Sequence, residues 1–227
     1  MQALLGLLTF ACRVMPVGRA FSRRLSLATK GASQPGHRIR LTRSLKADLL
    51  VWQTFLQSYN GHTCVMASEI AGEELGLTIG LNKKEGFAAI YKNQWCKSGW
   101  PEKWTTTKWG QDPALWELFA VVAAMGIWAD QLRNMNIRFQ TKNVKTARSL
   151  NHMSSSSLPI LALLRRLVLL CLENNIWCRA TVVAEVDENI INPLLFSNWQ
   201  AFRIQQPNAQ PRGILCPQSL WDTVANH

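Results

Sequence analysis

No Asp or Glu occurs before Asp48, no two cysteines form a CxxC pair, and no stretch long enough to span a bilayer is both apolar and uncharged. The first absence makes residues 1–47 purely cationic. Nine of the 25 Lys and Arg lie there and none of the 14 Asp and Glu, so the net charge of +11 belongs to this arm while the rest is close to neutral. Such a segment attracts phosphate backbones or anionic membrane surfaces, and it equally suits a plain solvated face. The second absence excludes a zinc site of the usual spacing. Cys12, Cys64, Cys96, Cys171, Cys178 and Cys216 are scattered among apolar neighbours. Reduced core thiols are expected, in the cytosol or nucleus. The third absence excludes a spanning helix, and no membrane partner is expected. The acid-free, arginine-bearing start also has the look of a mitochondrial transit peptide, which keeps a mitochondrial destination open.

What is present points to a folded α/β protein. The 227 residues are 48% hydrophobic, enough for one core or for a domain with a helical appendage. Ten tryptophans are many for this length, and Trp100, Trp104 and Trp109 flank turns. No internal repeat is found. Two short helices are predicted over residues 2–30, parted near Pro16 and Gly18, and a third over 42–59 on the spacing of Leu45, Leu49, Trp52 and Leu56. Residues 60–85 give no clear pattern. Beyond them the patterning predicts a strand over 86–95, a helix over 112–128 capped by Asp112 and opened by Pro113, and a strand over 137–141. A helix from Asn143, a helix over 154–175, a strand over 176–186 and a short helix over 189–203 broken by Pro193 follow. The tail with Pro207, Pro211 and Pro217 reads as extended. This alternation is an α/β order.

The stretch "IRFQTKNVKTARSLN" (137–151) carries the most chemistry. Ile137, Phe139 and Thr141 alternate with Arg138, Gln140 and Lys142, the two-residue period of a half-buried strand. A strand tip facing a helix start is a common address for a reactive side chain. Here that tip presents Lys142.

The segments "GFAAIYKNQWC", "LWELFAVVAAMGIWADQLRN", "IRFQTKN", "LLRRLVLLCLENNI" and "NPLLFSNWQAFR", in this order and spacing, resemble the ribonuclease H domain of retroelement polyproteins. Among these the chain is most similar to the tyrosine-recombinase retrotransposons of the DIRS group. "LLGLLTFACRVMPVGRAFSRRL" and "HRIRLTRSLKADLLVWQTFLQSYNG" resemble the helical end of that element's reverse transcriptase. The resemblance implies a ribonuclease H-like mixed sheet with flanking helices over residues 61–203. A helical segment over 1–60 would precede it and an extended tail over 204–227 would follow.

It also implies a two-metal nuclease, in which carboxylates gather two Mg²⁺ ions roughly 4 Å apart. Carried over residue by residue, most of that set is missing. The helix glutamate is Glu117. The strand-tip aspartate falls on Lys142, the histidine on Val182 and the final aspartate on Asn192. The first aspartate falls on Gly80, with Glu69 the substitute if an insertion follows it. Exchanging a carboxylate for an ammonium is a two-unit swing of charge, and one unit–unit repulsion at 4 Å is about 4 kcal/mol at an effective dielectric near 20. The resemblance therefore implies a pseudoenzyme with no bound metal, and the polymerising carboxylates lie outside the matched region.

Other readings stay open. Glu117 is either a vestigial ligand or a charge on an amphipathic helix. His37, His62 and His152 lack catalytic partners at useful spacing, and "SSSS" (154–157) suits a loop and helix cap better than a phosphate cradle. Arg19, Arg23, Arg24, Arg38, Arg40 and Arg43 are the candidate phosphate contacts, for an RNA–DNA hybrid or other nucleic acid bound without sequence preference. The rival expectations are an active Mg²⁺-dependent hybrid nuclease using Glu69 and Glu117, and a mitochondrial or scaffold protein with no nucleic-acid role.

Overall fold

In the computed structural model of the chain, the described residues are 1–32, 34, 37–58, 70–71, 75–100, 104 and 111–212. They fall into two units: residues 1–65 with 152–156, and residues 66–151 with 157–227.

The first unit is helical. The uncharged stretch Gln2–Ala11 forms α1, a 3-10 turn at Pro16–Gly18 follows, and Arg19–Thr29 forms α2. Pro16 supplies the fixed φ that suits a first helical turn. Gly18 is small because the Trp52 ring lies where its Cβ would stand, 2.4 Å away. Arg43–Ser58 forms α3, close to the predicted span. Phe21, Leu25, Leu45 and Trp52 are buried in this unit, and Phe55 meets both Phe21 and Trp52 edge-on.

The second unit is mixed α/β. Its elements are β1 (Ile70–Ala71), β2 (Leu77–Asn82), β3 (Gly86–Tyr91), β4 (Gln94–Ser98), α4 (Pro113–Ile127), β5 (Asn136–Thr141), α5 (Val144–His152), α6 (Leu158–Glu173), β6 (Trp177–Val182), α7 (Asn192–Leu195), α8 (Trp199–Gln205) and β7 (Gln210–Pro211). The antiparallel meander β2-β3-β4 takes β7 in parallel at its β4 edge, and β1-β5-β6 form a separate parallel sheet. β3 is buried along its whole length. Phe87, Ala89 and Tyr91 enter the main core, while Ala88 and Ile90 pack with Ile191, Leu194 and Phe202 on the other side. α4 fills the main core with Leu115, Leu118, Phe119 and Val122, its start held by Asp112, which accepts the Ala114 N–H.

Two sequence expectations change and two gain detail. The single strand over 86–95 is a hairpin, β3 and β4 turning at Lys92–Asn93. Lys92 sits at φ 53°, a left-handed conformation that favours Gly or Asn, so the residue type hid the turn. The last helix breaks at Ser197, φ 58°, and not at Pro193, which takes the first turn of α7 where no N–H is missed. Within the expected extended tail Gln210–Pro211 form β7, and residues 213–227 lie outside the described residues. The expected mixed sheet is present as β2-β3-β4-β7, and a small parallel sheet accompanies it, because β1 pairs with Ile137 and Arg138 while β2 pairs with β3 on one edge alone among the described residues.

Candidate functional site

The β5 tip is organised by one hydroxyl. Thr141, 3% exposed, donates to Glu117 Oε1 on α4 and accepts the backbone N–H of Asn143 at 2.8 Å. Asn143 in turn accepts the N–H groups of Lys145 and Thr146, at 2.9 and 3.3 Å, and so caps α5. Strand end, helix start and carboxylate are thus joined in one relay. Glu117 Oε2 is buried without a hydrogen-bond partner among the described residues, as is Thr146 Oγ1.

A hollow of about 360 Å³ lies beside this relay, lined by residues of β2, α4 and the part of β5 beyond Arg138. Leu77, Ile79 and Phe139 give it apolar walls; Glu117, Thr141 and Asp187 give it polar ones. Its size falls within the range of small-molecule sites.

The residues marked by the sequence fall around this region unequally. Lys142 is exposed and its ammonium reaches Glu188 Oε1 at 3.4 Å, so it does not answer Glu117. The group beside Glu117 is Thr141, and this corrects the expectation that the lysine stands in the carboxylate's pocket. Val182 pairs in register with Thr141 and is 47% exposed. Asn192 opens α7 and donates its backbone N–H to Glu188 O at 2.9 Å. Gly80 packs against Ile191, whose Cγ2 lies 2.7 Å from where a Cβ would stand, so that strand position has no room for a carboxylate as the chain is packed. Glu69 lies outside the described residues. Asp187 and Glu188 were missed by the sequence reading, although "VDEN" marks an acidic turn after β6.

The two Mg²⁺ ions implied by the resemblance do not fit these donors. Glu117 has one oxygen on Thr141, Glu188 is tied to Lys142, and Asn192 offers a neutral amide. Among the described residues no three His, Cys, Asp or Glu side chains group closely enough to hold a metal ion.

In the helical unit, Arg19, Arg38, Arg40 and Arg43 are exposed. Arg23 is half-buried, with its Nε enclosed. Arg24 is withdrawn from the candidate phosphate contacts: its Nε and Nη2 grip Asp48 at 3.0 and 3.2 Å. Asp48 is fully buried, and burial pushes its carboxyl up to about 7 against the opposing pull of Arg24.

No protein-family model, no curated protein and no solved structure matches the chain. No described helix is long and apolar enough to cross a membrane.

Proposed function

We propose that the chain is a retroelement-derived, ribonuclease H-like protein that has lost its nuclease centre and holds nucleic acid without sequence preference through its helical unit. The observation that carries the first half is the β5 tip. The carboxylate at the helix position of the nuclease pattern is bound by Thr141, and the tip lysine is spent on Glu188. A supporting feature is the succession of antiparallel meander, helix, strand, helices and parallel strand. The second half rests on charge: Arg19, Arg38, Arg40 and Arg43 are exposed on a unit whose described residues hold no exposed carboxylate.

Binding of the full chain to a labelled RNA–DNA hybrid, at 50 and 200 mM salt, tests the reading. Four phosphate contacts predict a loss of roughly a hundredfold across that range. Exchanging Arg38, Arg40 and Arg43 for Gln flattens the dependence. Salt-indifferent affinity removes the binding role. Mg²⁺-dependent cleavage of the hybrid, abolished by Glu117→Gln, restores the active nuclease in its place.

A further inference from the structure

The outer side of α1 is not explained by nucleic-acid binding. The helix QALLGLLTFA carries no charge at all. Leu4, Leu7 and Phe10, three residues apart and so on one side, are 40%, 69% and 68% exposed. Val14 just beyond them is 40% exposed. A groove between α1 and α3, lined by Leu4, Leu8, Leu49, Trp52 and Leu56 together with Gln53 and Gln57, adjoins this surface through Leu4. Contiguous apolar surface of this kind marks a contact face.

We propose that this face docks on an anionic lipid bilayer surface. Charge selects that occupant. Arg13 is exposed and lies 5.5 Å from the centre of the Phe10 ring, which places a cation at the border of the apolar stripe. Arg19, Arg38, Arg40, Arg43 and Lys46 are exposed on the same unit. The single carboxylate among its described residues, Asp48, is buried against Arg24. A phosphate backbone satisfies the arginines but leaves Leu7 and Phe10 in water. A bilayer carrying anionic headgroups takes both, apolar side chains into the acyl boundary and guanidinium groups among the headgroups. Ten residues of helix reach about 15 Å, half of a hydrocarbon core, so α1 lies in the interface plane and does not cross it. This departs from the expectation of no membrane partner; the absence of a spanning helix among the described residues leaves room for a surface contact.

The test is co-sedimentation of the full chain with vesicles of phosphatidylcholine alone and of phosphatidylcholine mixed with phosphatidylserine. The wild-type chain binds the mixed vesicles and binds the neutral ones weakly. The exposed double exchange Leu7→Gln/Phe10→Gln weakens binding to mixed vesicles about tenfold or more, with the circular dichroism spectrum and the hybrid affinity unchanged. Arg13→Gln/Arg19→Gln lowers the preference for anionic over neutral vesicles. No vesicle binding overturns the proposal. So does vesicle binding that ignores the double exchange, because cations alone then account for it. Sedimentation equilibrium showing a dimer that the double exchange dissociates also overturns it, since a second copy then covers the face. The vesicle, circular dichroism and sedimentation readings are independent of whether the hybrid binds.

Discussion

Thr141 meets Glu117 through a hydroxyl that also receives the Asn143 N–H, so one oxygen ties a helix in the core to the turn that starts the next helix. The residues are 24 positions apart in the chain. This relay occupies the carboxylate that the nuclease resemblance singles out.

Removing the hydroxyl is therefore more costly than removing the carboxylate's charge. Thr141→Val leaves a Glu117 oxygen and the Asn143 N–H without their partner, a loss of about 1–3 kcal/mol. Glu117→Gln keeps an acceptor for Thr141 and costs less than about 1 kcal/mol. Urea unfolding of the two variants gives the comparison. A Glu117→Gln variant less stable than Thr141→Val contradicts the relay.

Asp48 makes the helical unit sensitive to pH. Its carboxyl titrates at 3.8 when unfolded and near 7 when folded, so between those values the folded form holds its proton more tightly. The stability it contributes is complete below about pH 4 and is lost as pH rises through 7. The loss is at most about 4 kcal/mol. Thermal unfolding at pH 5 and pH 8 shows the drop, and Asp48→Asn removes it. Arg24→Met exposes the other side of the pair: at pH 8 it removes a charged hydrogen-bond donor from the buried carboxyl and destabilises by about 1–3 kcal/mol. A variant as stable as wild type at pH 8 refutes the pairing.

The contact of Gly80 with Ile191 is a packing constraint with a sharp test. A Cβ at Gly80 would stand 2.7 Å from Ile191 Cγ2, closer than side chains approach. Gly80→Ala then destabilises by about 1–3 kcal/mol through overpacking. Ile191→Ala in the same chain opens the space and recovers part of that loss, a coupling a double-mutant cycle measures. Additive effects would show that the two residues do not touch. Gly80→Asp places there the residue type that the resemblance implies and is expected to bring no hybrid cleavage, since Thr141 still holds Glu117.

Much of the architecture was legible because its causes are local. The alternation of Ile137, Phe139 and Thr141 forecast β5, and all three are buried as that period requires. Asp112 and Pro113 forecast the start of α4, and Asn143 the cap of α5. The β3–β4 turn was not legible, because Lys92 adopts a conformation its side chain does not advertise. Asp187 and Glu188 were not legible as site residues either. Glu188 enters through an ion pair spanning 46 positions, and no periodicity carries information over that distance.

The sequence by itself determined the cationic arm, the apolar rhythm of each element and the scarcity of carboxylates at the positions the resemblance points to, since each depends on residue type and near neighbours. Folding alone decided that Arg24 is spent on Asp48, that Thr141 rather than Lys142 answers Glu117, and that the strands part into two sheets around a hollow. Those outcomes depend on which surfaces meet in space. Hydrogen bonds and charge pairs act over a few ångströms, and only the packed chain brings residues from distant positions within that range.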